Sequence, residues 1–174
     1  IRSYDMTMPE EINRMVTDSI TDYFFTTTRW ASSNLVKAGI EDSRIYLVGN
    51  VMIDTLLVNI DRFVKPAIYD ELGLQEKGYM MLTLHRPANV DETNHLKALM
   101  TEIVQNAKGL PIISPFPPRT AKLFAVLGIE APNLHIVSPM GYLEFNYMVK
   151  RALAVVTDSG GITEETTVMG VPCI

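Results

Sequence analysis

Four short apolar runs constrain the fold more than any other feature of this chain: Tyr79–Leu84 (YMMLTL), Leu110–Ser114 (LPIIS), Leu134–Val137 (LHIV) and Ala152–Thr157 (ALAVVT). None alternates polar with apolar residues, so none suits a sheet with one wet face. Each reads as a strand covered on both sides, the pattern of a parallel sheet flanked by helices. Helical stretches separate them. His95–Ala107 is the clearest, with Leu96, Leu99, Met100, Ile103, Val104 and Ala107 on one face; Arg119–Leu127, Leu143–Arg151 and Thr163–Met169 follow. Strands and helices alternating through right-handed crossovers give an α/β, doubly wound, Rossmann-like domain from residue 79 onward, with "VPCI" as its last strand in view.

The first part of the chain repeats the alternation. Pro9–Phe24 carries Ile12, Met15, Val16, Ile20 and Tyr23 at helical spacing, with Pro9 suited to the first turn and Glu10 and Glu11 complementing the helix dipole. "YFFTTT" reads as a strand, "RWASSNLVKAG" as a helix closed by Gly39, "RIYLVGN" as another strand and Met52–Phe63 as a further helix. The stretch "VKPAIYDELGLQEKG" mixes Pro, Gly and charge in the manner of a connector. These readings divide the chain into a partial first Rossmann-like domain over residues 1–64, a connector over 65–78 and a second domain over 79–174. The chain opens on Ile1 without an initiator Met and stops inside an apolar segment, so a fragment truncated in its second domain is expected.

Composition excludes several function classes. With 174 residues and 47% hydrophobic content, the chain is long enough for a well-packed core. Fifteen Lys and Arg against 20 Asp and Glu give a formal net charge of −5, and no basic run offers a footprint for nucleic acid. An anionic metabolite is still allowed, because a few Arg, His and backbone N–H groups suffice to bind one. The apolar runs fall far short of the roughly 20 residues that span a bilayer, so no membrane partner is expected. A single cysteine, Cys173, forms no internal disulfide, which leaves the cytoplasm as the expected compartment. No His or Cys spacing resembles a metal site, and His95 and His135 read as structural.

Ligands of doubly wound sheets sit at the carboxyl ends of the strands, and the polar motifs fall there. "VTDSGGITEE" leaves a strand and opens a helix. Gly160 and Gly161 let backbone N–H groups approach an anion, with the Ser159 hydroxyl beside them. The same turn also reads as an ordinary corner in which Asp158 or Ser159 caps the helix. Glu164 and Glu165, one turn in, suit sugar hydroxyls or a solvated surface. "TLHRPANVDE" presents His85 for proton transfer and Arg86 for clamping an anion, and "SPFPPRT" places Arg119 at the same edge. Arg2, Asp5, Glu10, Glu11 and Arg14 form a cluster that serves as acid and base groups or as a surface ion-pair network.

Together these segments resemble the UDP-N-acetylglucosamine 2-epimerase family, its non-hydrolysing branch in particular. "IRSYDMTMPEEINR", "VGNVMIDTL", "LHRPANVD" and "TDSGGITEE…GVPC" match four family motifs in order, across essentially the whole chain. The resemblance implies a glycosyltransferase-B-like enzyme, two Rossmann-like domains facing across a cleft and dimeric at full length. Such an enzyme interconverts UDP-GlcNAc and UDP-ManNAc for surface polysaccharide by eliminating UDP across C1 and C2 and adding it back. It needs no nicotinamide cofactor or catalytic metal. The resemblance makes Glu10 a catalytic carboxylate and His85 a residue acting at the sugar and diphosphate. Ser159, Gly160 and Gly161 become the diphosphate cradle, Glu165 the ribose acceptor, and Arg2, Asp5, Arg86 and Arg119 further substrate-binding residues. The sequence departs from the family pattern at Pro117 for a His, Ala88 for a Glu and Thr163 for a Gln. A hydrolysing 2-epimerase, a glycosyltransferase of the same fold and a non-catalytic nucleotide-sugar binding module are the alternatives.

Overall fold

The computed structural model describes residues 5–90, 92–116, 124, 126 and 128–174. The chain divides into two compact units, Ile1–Thr55 and Leu56–Ile174. In the first, helix α1 (Pro9–Ile20) begins at a proline whose missing N–H costs nothing at N1, with Glu10 and Glu11 in the first turn. Strands β1 (Phe24–Thr26) and β2 (Ile45–Leu47) pair in parallel, Phe24 opposite Ile45, around helix α2 (Arg29–Lys37). The Thr28 hydroxyl caps α2 by accepting from the Ala31 N–H at 3.1 Å, and Gly39 just past its end takes φ +89°. Arg44 ties β2 to the end of α1 by donating to the Asp22 and Thr21 carbonyls. The apolar stripe of α1 forms as its spacing predicts, but Ile12, Met15, Val16 and Ile20 are exposed.

Helix α3 (Val51–Asn59) ends in a single 3₁₀ turn, Ile60–Arg62, and α4 (Ala67–Glu71) follows. Residues 65–78, whose composition reads as a connector, lie within the second unit. Leu74 is buried in its core, with Ile68, Tyr69 and Leu72 packed alongside.

The sheet of the second unit contains β3 (Met80–Thr83), β4 (Ile112–Pro115), β5 (Leu134–Val137) and β6 (Ala154–Thr157). Their order is β5-β4-β3-β6, all parallel, and Cys173 adds a parallel bridge to Val155 beyond β6. The pleat sorts the side chains cleanly. Met81, Ile113 and Val155 share one face, where they pack with Tyr79, Met148, Val149 and Ala152; helix α7 (Tyr142–Arg151) supplies Met148 and Val149, and Ala152 is its C-cap residue. Leu82 and Ile112 face the other way and pack with Leu96 and Met100 of helix α6 (Thr93–Asn106), Ala107 just beyond it, and the stacked Phe116 and Phe124. Both faces of β3 and β4 are therefore dry, as continuous apolar runs require. A short helix α5 (Pro87–Val90) follows β3, and α8 (Gly160–Met169) follows β6 and stops at Gly170, φ +67°.

Strand order places the functional edge. From β3 the chain winds outward through β4 to β5, then crosses back to lay β6 on the other side of β3. The loops after β3 and β6 thus leave neighbouring strands in opposite directions, the topological switch point at which open α/β sheets bind ligands.

Candidate functional site

At that switch point the loops after β3 and β6 are joined by one carboxylate. Asp158, the first residue past β6, turns its side chain sideways to the β3 loop. One oxygen, Oδ2, accepts from the Arg86 N–H at 2.8 Å, the His85 N–H at 3.0 Å and the Asn89 amide at 3.0 Å. The other, Oδ1, faces His85 Nδ1 at 2.6 Å and shares the His85 N–H at 3.1 Å. Burial alone pushes the Asp158 carboxyl up, but the Arg86, Asn89 and His85 donors outweigh it and hold the group below the usual carboxylate value. The Asp158 side chain is 7% exposed while that of His85 is 62% exposed, so the imidazole projects from an anchored loop. Below this contact the Thr83 and Thr157 hydroxyls, 2.6 Å apart, tie the two strand ends together.

The anchoring argues against the helix-cap reading of "DSGG". Asp158 spends its oxygens on the β3 loop, and Ser159, the N-cap residue of α8, makes no side-chain cap bond. The helix begins at Gly160, three residues before the expected Thr163. Its first N–H groups have no intrahelical acceptor and lie at the positive end of the helix dipole. Neither packing nor backbone demands glycine at 160: φ is not positive, and a Cβ there meets nothing within 4 Å. The missing side chain leaves room above the helix end, the geometry of an anion cradle.

One turn along α8, Glu165 is 7% exposed and accepts from the Tyr142 hydroxyl through Oε1 at 2.9 Å. Burial, with the neighbouring carboxylate, pushes the Tyr142 phenol up to about 12, so it remains a donor throughout the physiological range. Glu164 lies exposed on the same helix. The site therefore combines an open helix N-terminus, an anchored imidazole, the exposed Arg86 and a buried carboxylate.

In the first unit, Glu10 is exposed in the first turn of α1, whereas Glu11 is 1% exposed and accepts from Arg14 at 2.8 and 3.0 Å. Asp5 is exposed and accepts from the Thr7 amide at 2.9 Å and hydroxyl at 2.6 Å, which hold its carboxyl below the usual value. Arg2 and Arg119 lie outside the described residues. Among the described residues no group of His, Cys, Asp and Glu is placed to hold a metal ion, and no helix is long and apolar enough to cross a membrane.

A parallel sheet dry on both faces, offering an open helix N-terminus and an imidazole at its switch point, defines a doubly wound, Rossmann-like domain. The family is more specific than the class. Residues 1–174 match the family model for UDP-N-acetylglucosamine 2-epimerase, and the chain belongs to that family. It is 38% identical to UDP-N-acetylglucosamine 2-epimerase of Methanococcus maripaludis, over 100% of this chain and 50% of the relative. It is also 37% identical to UDP-2,3-diacetamido-2,3-dideoxy-D-glucuronate 2-epimerase of Pseudomonas aeruginosa, over 100% of this chain and 49% of that protein. The crystal structure of Methanocaldococcus jannaschii UDP-GlcNAc 2-epimerase in complex with UDP-GlcNAc and UDP superposes with a TM-score of 0.82 at 37% identity. That superposition covers 99% of this chain and 50% of the other. The chain spans about half the length of the curated relatives it matches.

Proposed function

We propose that this chain is part of a UDP-N-acetylglucosamine 2-epimerase that interconverts UDP-GlcNAc and UDP-ManNAc. The observation that carries the reading is the open N-terminus of α8 beside His85 and Arg86 at the switch point, in a member of this family. Gly160 and Gly161 hold the diphosphate through backbone N–H groups, reinforced by the helix dipole, and Ser159 adds its hydroxyl, its own N–H being taken by the Thr157 hydroxyl at 3.0 Å. Glu165, fixed through Oε1 by Tyr142, offers Oε2 to the ribose hydroxyls. Arg86 and Arg119 add positive charge around the nucleotide. Arg2 and Asp5 belong to the sugar-binding segment.

The C2 proton of the sugar is too weakly acidic for simple abstraction, so the reaction runs by elimination. Glu10 takes the C2 proton while the C1–O bond breaks, and its electron pair leaves with the β-phosphate oxygen of UDP, giving a 1,2-unsaturated sugar. Returning a proton to the opposite face of C2 and the UDP oxygen to C1 completes the epimerisation. The residues around the diphosphate lower the barrier by stabilising charge on the departing oxygen. No step calls for a redox cofactor or a metal. The working enzyme is a cytoplasmic homodimer.

An NMR time course of the full-length protein with UDP-GlcNAc tests this. UDP-ManNAc growing to a constant ratio is expected. Free ManNAc plus UDP places the protein in the hydrolysing branch, and neither product refutes catalysis on this substrate. The Pseudomonas aeruginosa relative motivates a second reading, in which the sugar is a diacetamido uronate and the UDP contacts are unchanged. The same time course with that nucleotide sugar decides between them.

A further inference from the structure

We propose that Asp158 is a positioning residue that fixes the proton of His85 on Nδ1, so that Nε2 is the nitrogen turned to the departing diphosphate. The inference rests on the UDP reading above for what Nε2 meets, but on geometry alone for the orientation.

Oδ2 of Asp158 is committed to three donors, the Arg86 and His85 N–H groups and the Asn89 amide. These place the carboxylate without help from the imidazole. Oδ1 then lies 2.6 Å from Nδ1, and a carboxylate oxygen accepts only, so Nδ1 carries the hydrogen. Free neutral imidazole has no such obligation. With Nδ1–H turned inward, Nε2 alone exchanges a proton outside. Protonated His85 keeps Nδ1–H on Asp158 and donates Nε2–H to the β-phosphate oxygen as the C1–O bond breaks. When UDP adds back, that proton returns to Nε2. Proton and electron pair balance over the cycle, and the carboxylate stabilises the imidazolium without itself being protonated.

The same atoms predict an informative substitution. In Asp158→Asn, the amide oxygen takes the Oδ2 position because three donors point at it. The NH₂ then occupies the Oδ1 position and donates to Nδ1, which forces the proton to Nε2 and opposes the imidazolium. Loop anchoring survives through the three donors on the Oδ2 side, losing only the longer 3.1 Å branch of the His85 N–H to Oδ1, while the tautomer reverses. A residue that only holds the loop is indifferent to this change.

The test uses full-length protein labelled with ¹⁵N in histidine, with His85 assigned by His85→Gln. Long-range ¹H–¹⁵N spectra above the imidazole titration are expected to show the Nδ1–H form in the native protein and the Nε2–H form in Asp158→Asn. In UDP-GlcNAc turnover, Asp158→Asn lowers kcat by about a hundredfold or more, within the range of acid–base contributions, with KM changed less than about threefold. Asp158→Ala, which also frees the loop, raises KM as well. An Nε2–H tautomer in the native protein, or the same tautomer in both proteins, overturns the proposal. So does an Asp158→Asn variant with unchanged kcat. If the native protein turns over no UDP-GlcNAc, the functional reading fails, and the spectra still decide the role of Asp158.

Discussion

Gly160→Ala separates a helix end built for a ligand from one built for the fold. Gly160 is the first residue of α8, its φ lies outside the left-handed region, and an added Cβ has no atom within 4 Å. On the protein alone the substitution removes backbone freedom from the unfolded chain without strain in the folded one. Such changes stabilise by about 0.4–1 kcal/mol. If the proposed cradle holds the diphosphate, the methyl instead projects into that space and obstructs its approach to the first N–H groups. We expect UDP binding to weaken at least about tenfold, or about 1.4 kcal/mol. The two effects have opposite sign, which makes the experiment decisive. Urea unfolding gives the first and isothermal titration with UDP the second. A variant that binds UDP as tightly as the native protein refutes the cradle, and one that loses stability refutes the claim that the space is empty of protein.

Three further outcomes follow from single contacts. The Tyr79 hydroxyl, fully buried, donates at 2.6 Å to the Met148 carbonyl in the last turn of α7, where the next N–H, of Ala152, bonds Val149 instead. Tyr79→Phe leaves that carbonyl without its donor and costs about 1–3 kcal/mol, read as a lower urea midpoint at constant slope; an unchanged midpoint contradicts this. Tyr142→Phe releases Glu165, so affinity for UDP falls several-fold while that for 2′,3′-dideoxyuridine diphosphate hardly changes; equal losses for both contradict the ribose assignment. Asp158 has its folded pKa depressed, so its contribution to anchoring the His85 loop is fully present above the usual carboxylate value of about 3.9 and is lost only as pH falls through the lower folded value. The His85 and Arg86 amide signals therefore hold their docked positions down past about pH 4, and release above that point contradicts the account.

The sequence revealed what depends on one element at a time. Leu134–Val137 is a strand as read, and Tyr79–Leu84, Leu110–Ser114 and Ala152–Thr157 each contain one, because a run dry on both faces has little choice but a buried parallel strand. Helix α6 followed from its apolar face. Local rules misled where glycine or composition spoke for the wrong context. Gly160 and Gly161 lower helix propensity in an interior, yet at N1 and N2 their N–H groups have no intrahelical partner, so the helix starts there. Residues 65–78 look like a linker by their Pro, Gly and charge, but Leu74 packs into the core.

Contacts made by topology were not legible locally. Asp158 and His85 stand 73 residues apart and meet only because β6 returns to lie beside β3. The signal available was a carboxylate immediately after the strand that closes the switch point, and the cap preference of Asp concealed it. Tyr142 gave no cue, since its partner Glu165 sits on a helix beyond the next strand. In the first unit the motif pointed to Glu10, and the buried carboxylate is its neighbour Glu11, paired with Arg14 one turn on.

The central claim is that the edge where β3 and β6 diverge holds the diphosphate of a uridine nucleotide. A ¹⁵N-resolved titration of the protein with UDP, run in parallel with uridine, tests it most directly. The account predicts that UDP shifts the amides of Gly160, Gly161, His85 and Arg86, and that uridine at matched saturation leaves the Gly160 and Gly161 signals in place. Equal shifts of those glycines by uridine, or UDP shifts confined to other parts of the chain, contradict it.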